Sequence, residues 1–254
     1  YNYNQNSKSY VGWQWRANGT GSANTDGDIN STVSANTTAG FSIVKYTGTG
    51  ANATVGHGLS SAPKMIIIKN YSASGKSWQV GHEGIGWGNG IYLNLADGQA
   101  SDSGAFNSTA PTSSVFSVGT SSLVNDSGNI YVAYCFAEKT GYSKIGSYIG
   151  NGDGDGTFVY TGFKPAFVMI KETTDSGTDW RMMDNKRSTF NLVDDRLFPN
   201  LSNAENTGDG YDFLSNGFKM RSSGGDFNGS GNNYIYMCFA EAPLVGSNNI
   251  PCTA

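Results

Sequence analysis

One stretch of this chain alternates acidic and glycine residues, Gly150-Asn151-Gly152-Asp153-Gly154-Asp155-Gly156. Alternating Asp and Gly oxygens can surround a hard cation such as calcium. The closing Glu of a helix-loop-helix calcium loop is missing, and Ala51 and Ala53 stand where an internal repeat would place the two aspartates. The stretch therefore reads as a solvated glycine turn. No metal or other cofactor is assigned, and Asp153 and Asp155 are kept as weak calcium candidates. Glu138 and Glu241 both follow apolar strands, and paired carboxylates are the machinery of glycoside cleavage. They fall at matching places of two copies, so one cleft would have to receive both. A strand-end carboxylate accepting backbone hydrogens is the simpler reading. His57 and His82 are the chain's two histidines, and no serine sits in a nucleophile-elbow context. No catalytic residue is assigned, and the chain is read as non-enzymatic.

The candidate ligand-binding residues are aromatic. Trp87 lies alone in Gly84-Ile85-Gly86-Trp87-Gly88-Asn89-Gly90. A flat ring in a glycine-rich loop could stack on a sugar, or it could fold onto the core. Tyr92, shortly after it, and Tyr211, in Tyr211-Asp212-Phe213, complete the set. Trp78 and Trp180 recur between copies and read as packing residues.

What positions these residues is a repeat. Ala62-Pro63-Lys64-Met65-Ile66-Ile67-Ile68-Lys69 matches Lys164-Pro165-Ala166-Phe167-Val168-Met169-Ile170-Lys171 at an offset of 102. Tyr46, Gly48, Gly50, Ser74, Gly75 and Trp78 have identical partners at Tyr148, Gly150, Gly152, Ser176, Gly177 and Trp180. Tyr131 to Glu138 then matches Tyr234 to Glu241 at an offset of 103. Four apolar residues in a row, Met65 to Ile68, predict a strand covered on both faces. Pro63 is tolerated at its start because no ladder donor is needed there. Phe41 to Tyr46 alternates apolar and polar, the pattern of a half-buried strand.

Composition agrees. Charged residues make up 14% of 254, aromatics 13%, and there are 35 glycines. Disorder favours charge and avoids aromatics, so this balance points instead to an all-β protein with many tight turns. A net charge of −4 without a basic stripe argues against a nucleic-acid partner. No apolar run reaches the length of a membrane span, so no membrane insertion is expected. Cys135 and Cys238 occupy equivalent strand positions and read as small buried hydrophobes rather than a disulfide. Cys252 has no evident partner.

The expected fold is all-β: two tandem β-sandwich or jelly-roll-like repeats related by internal duplication. Residues 40–140 form repeat one and 141–242 repeat two. Residues 1–16 are the last strand of an earlier repeat, since Tyr10-Val11-Gly12-Trp13-Gln14-Trp15 parallels Tyr131 to Phe136. Residues 17–39 are a linker or surface loop, and 243–254 a C-terminal tail. The chain opens without Met and reads as part of a longer polypeptide.

Thr32-Val33-Ser34-Ala35-Asn36, Gly56-His57-Gly58-Leu59, the two Pro-led strands, Asn200-Leu201-Ser202-Asn203-Ala204-Glu205 and the two aromatic-Ala-Glu endings together resemble a repeat domain of marine tailed-phage virion proteins of the tail and tail-fibre type. The resemblance spans residues 10–242. It implies a structural protein on the extracellular surface of the virion, at the tail, with other virion proteins as partners, and it supplies no catalytic residues. Host attachment through a cell-surface glycan is the leading expectation, with a homo-oligomer, for example a trimer, giving avidity. A capsid-decoration or tail-shaft component without a receptor is the alternative, and a glycan depolymerase the third.

Overall fold

The computed structural model describes residues 5–241, 244–245 and 251–252. In chain order the strands are β1 (Ser22–Asn24), β2 (Ser31–Asn36), β3 (Phe41–Thr47), β4 (Ala53–Gly56), β5 (Met65–Asn70), β6 (Gln79–His82), β7 (Asn89–Tyr92), β8 (Ala100–Ser101), β9 (Val115–Val118) and β10 (Ile130–Phe136). They continue with β11 (Ser143–Ile149), β12 (Phe158–Tyr160), β13 (Pro165–Glu172), β14 (Arg181–Asp184), β15 (Tyr211–Leu214), β16 (Gly217–Met220), β17 (Asn233–Ala240), β18 (Leu244–Val245) and β19 (Pro251–Cys252). Two single-turn helices, α1 (Ser103–Phe106) and α2 (Gly225–Asn228), interrupt them. Among the described residues no helix is long and apolar enough to cross a membrane.

The chain is all-β and its named strands pair antiparallel. One sheet runs β1-β2-β3-β10-β5-β6-β7-β8, and a second runs β11-β17-β13-β14. The order β3-β10-β5-β6 in the first is the order β11-β17-β13-β14 in the second. Two smaller layers, β4-β9 and β12-β16-β15, lie outside them. Side-chain alternation defines three cores. Ile66 and Ile68 face a first core with Val55, Phe116 and Val118 of the β4-β9 layer. Val168 and Ile170 face a second core with Val159, Phe213 and Phe218 of the other small layer. Met65, Ile67, Phe167 and Met169 meet in a third, between the two large sheets. The result is four stacked β layers, and it explains the uninterrupted apolar runs, because β5 and β13 are covered on both faces.

Two expected boundaries are corrected. Residues 17–39 are not a linker or surface loop: they supply β1 and β2, and β2 pairs with β3 from Phe41 to Tyr46. Ile29 reaches the first core and bridges Val55 in parallel. The stretch was hidden because its strands are built from Ser, Thr, Ala and Asn, with Ile29 and Val33 as the only large apolar residues. Residues 10–16 are not a strand. Trp13 and Trp15 instead pack into the seam between the large sheets. The Trp15 ring lies edge-on to Phe136, Phe167 and Phe239 at 5.5–6.0 Å, and Trp13 Nε1 donates to Asp184 at 3.1 Å. Ring burial, not a backbone ladder, holds this segment. Of the expected tail, β18 and β19 form a two-stranded ribbon. Residues 1–4 and the rest of 242–254 lie outside the described residues, as does the Cys252 side chain.

Loop anchoring recurs at the spacing of the sequence match. Tyr46 donates its hydroxyl to Val124 O at 2.7 Å, and Tyr148 to Phe227 O at 2.6 Å. The Asn125 amide donates to Ala51 O and Gly119 O at 2.6 and 2.8 Å, and the Asn228 amide to Asp153 O and Ser222 O at 2.8 and 3.0 Å. Both asparagines are fully buried. Gly48 and Gly150 are required beside them, since a Cβ there would lie 2.4 Å from Asp126 O and 2.2 Å from Gly229 O respectively.

Removing either amide strands buried carbonyls without a donor. Asn125→Ala and Asn228→Ala are each expected to lower stability by roughly 1–3 kcal/mol, read as a lower urea midpoint. Asp155→Ala, on the surface of the same loop, leaves the midpoint nearly unmoved.

Candidate functional site

The structure disperses the residues singled out by sequence. Trp87 is only 9% exposed, and its ring meets Phe106 edge-on at 5.3 Å inside the first core. A Cβ on Gly81 would collide with both rings, so the glycine makes room for the pair. Tyr211 is fully buried in the second core, against Phe227 at 5.2 Å, and burial raises its phenol far above the usual range. Neither ring is a platform for a sugar, and they lie in different cores. Tyr92 is half-buried at the end of β7, and its carbonyl accepts a hydrogen bond from Trp180 Nε1 at 2.8 Å.

The carboxylates are engaged. Asp155 accepts from Lys219 at 2.8 Å and Arg221 at 2.7 Å, which holds its carboxyl below the usual range. Two cations at that oxygen oppose a calcium ion. Asp153 caps the turn, its carboxylate accepting from the Asp155 amide at 2.9 Å. Glu138 lies between Lys64 at 3.3 Å and Lys144 at 2.8 Å, and Glu241 pairs with Lys164 at 3.0 Å. Among the described residues no three His, Cys, Asp or Glu side chains gather in a metal-holding group. Cys135 and Cys238 are free and buried, and burial raises both thiols, Cys135 to about 12.

The histidines are interior struts. His57 Nδ1 accepts from the Leu59 amide at 3.2 Å, and its Nε2 faces Thr112 O at 3.2 Å. His82 Nδ1 accepts from the Gly84 amide at 2.9 Å, which leaves the proton on Nε2 to reach Tyr236 O across the seam at 3.3 Å. Burial holds this imidazole down at about 4.

The surface that does gather suitable side chains is the β5–β6 hairpin. Lys69, Tyr71, Ser74, Trp78, Val132 and Tyr134 line an open groove of about 500 Å³. The Trp78 and Tyr134 rings stack at 6.4 Å and 19°. The Lys69 ammonium lies 5.7 Å over the Trp78 ring and donates to Lys76 O. Tyr71 is 70% exposed at the rim. A second groove, lined by Trp13, Trp15 and Ile67, shares Tyr134 and continues the aromatic surface. The matching hairpin of the other half, β13–β14, is closed. There Lys171 is fully buried, donates to Thr178 O at 2.9 Å, and burial lowers its ammonium to about 8. Sequence placed Lys69 and Trp78 in the repeat, but it gave no sign that one hairpin would be open and the other shut. Tyr71 and Tyr134 escaped notice because the matched residues, Thr173 and Met237, are not aromatic.

A family model for a domain of unknown function, DUF7483, matches residues 1–243. The chain belongs to the DUF7483 family. The match joins both halves and the aromatic segment at residues 10–16 in a single DUF7483 unit, in keeping with the continuous seam. No curated protein and no solved structure matches the chain.

His82 makes this chain's fold acid-sensitive. Its folded value, about 4, lies below the ordinary 6.5, so between these the unfolded chain binds more protons. The stability it contributes is complete above about pH 6.5 and is lost as pH falls toward 4, roughly 3 kcal/mol in all. His57, also lowered by burial, adds in the same direction. Urea midpoints should fall steadily from pH 7 to 5, and the His82 ring resonance should not titrate above pH 5.

Proposed function

We propose that this protein is a non-catalytic structural component of a virion surface, a rigid β body built by duplication of one sandwich-like unit. The observation that carries this reading is the seam: two sheets meet through Met65, Ile67, Phe167, Met169, Met237 and Phe239, so the halves act as one body. A surface of polar turns around such a body suits extracellular display. The resemblance to tailed-phage virion repeats points the same way. The engaged carboxylates and interior histidines support a non-enzymatic role, because a general acid or base needs access to a substrate proton.

Host attachment through a glycan is the second reading. Trp87 and Tyr211 are buried, so a sugar would have to use the Trp78–Tyr134 stack, whose half-exposed faces are the observation in its favour.

Antibodies raised against the recombinant chain and carrying gold should decorate intact particles of a tailed phage that encodes it. Unlabelled particles, with the chain recovered only from the soluble lysate, would reject the virion reading. Release of oligosaccharide from host envelope, lost in Glu138→Gln, would reject the non-catalytic one.

A further inference from the structure

The closed hairpin shows what the open one fits. In the second half, β13–β14 is covered by the turn that follows β7 in the first half. Trp180 Nε1 donates to Tyr92 O at 2.8 Å, the Gly177 amide to Ala96 O at 2.8 Å, and Lys171 Nζ to the same carbonyl at 3.5 Å. The Gln99 amide donates to Thr173 O at 2.9 Å, and the Gly98 amide to Ser176 Oγ at 3.3 Å. Residues 92–99 are thus a backbone plug in a Lys–Ser–Gly–Trp socket.

The chain carries a second plug and a second socket, each without its mate. The open socket is Lys69, Ser74, Gly75 and Trp78, the same four residue types at the same spacing. Its internal bonds match as well. Asn70 Oδ1 accepts from the Ser72 and Ala73 amides, as Glu172 accepts from Thr174 and Asp175. The Trp78 indole N–H and the Gly75 amide have no acceptor among the described residues. The second plug is the turn at residues 198–205. It follows Leu197, which pairs Met182 as Ile91 pairs Val80. The Trp78 amide donates to Asn94 Oδ1 at 2.8 Å, and the Trp180 amide to Asn200 Oδ1 at 3.2 Å. The Leu95 amide reaches Tyr92 O at 3.4 Å, and the Leu201 amide reaches Phe198 O at 3.3 Å. Arg196 bridges Asn206 as Gly90 pairs Ala100. Leu201 is 40% exposed at the tip of this turn.

We infer that the protein joins head to tail with a second copy of itself, residues 198–205 of one copy seating in the Lys69–Trp78 hairpin of the next. The Trp78 indole then donates to Phe198 O, the Gly75 amide and Lys69 to Ser202 O, and the Glu205 amide to Tyr71 O. Lys76 stands where the internal joint has Thr178, and Glu205, which pairs with Arg187 at 2.7 Å, where it has Gln99. One contact must differ. A Cβ on Gly98 would lie 2.8 Å from Asp175 O, and Ala204 carries that atom, so the seat shifts there. Plug and socket are different surfaces, so the contact is heterologous and yields a closed ring or an open fibre. The inference needs only the geometry of the two hairpins and stands whether or not the protein belongs to a virion.

Sedimentation of the wild type over rising concentration tests it, with two surface variants. Leu201→Asp spoils the plug and leaves the socket. Ser74→Trp fills the socket and leaves the plug. The wild type should gain mass with concentration, and each variant alone should stay monomeric with an unchanged melting temperature. Mixed in equal amounts, the variants should form one species of twice the monomer mass, because a single intact joint remains. A wild type monomeric to its solubility limit overturns the inference. So does association that both variants retain, or a mixture that stays monomeric. Soluble oligosaccharide saturating the groove of a wild type that never associates would make it a sugar site instead.

Discussion

Strands β5 and β13 must be hidden from water on both sides, and the architecture follows from that need. Ile66 and Ile68 point one way, Met65 and Ile67 the other, so a single sandwich covers only half of each strand's apolar surface. The sandwich cores are closed by the β4-β9 and β12-β16-β15 layers. The remaining faces are equally apolar, and the least costly cover for each is the other. Each Å² of apolar surface removed from water there contributes about 25 cal/mol, beside the hydrogen bonds that His82 and Trp180 make between the halves.

The seam then dictates what happens around it. The larger sheet has eight strands and the smaller four, so they cannot cover each other completely. Trp13 and Trp15 cover part of the excess at one side, against Phe136, Phe167 and Phe239. His82, placed at the seam, is kept neutral by burial and ties the first half to Tyr236 O of the second. The turn at residues 92–99 closes over Trp180, while Trp78, its counterpart, stays half-exposed. The open aromatic groove is therefore the hairpin that no such turn covers among the described residues.

Much of the fold was legible because two-sided burial leaves a local mark. The apolar runs Met65–Ile68 and Phe167–Ile170, the alternation at β3 and the matched cysteines all read correctly from spacing. Residues 17–39 did not, because Ser31 to Asn36 is a strand by virtue of its long-range ladder to β3, and its own composition reads as loop. Trp87 misled for a related reason. The glycines around it suggest a solvent-exposed loop, yet Gly81 on the neighbouring strand clears the space into which the ring folds beside Phe106. Tyr211 reads as a surface residue from sequence, yet it packs on Phe218 and Phe227, seven and sixteen residues downstream. The Lys69–Trp78 groove could not be found by spacing, because its exposure depends on whether a turn distant in sequence covers the hairpin, as residues 92–99 cover Trp180.

Hydrogen exchange tests the shared seam most directly. The amides of Met65–Lys69 and Phe167–Lys171 should be the slowest in the chain, exchange at matching rates through global unfolding alone, and lose protection together across a denaturant series. Loss of protection in one run while the other stays closed would show two independently stable sandwiches, and would contradict the account of a single four-layered body.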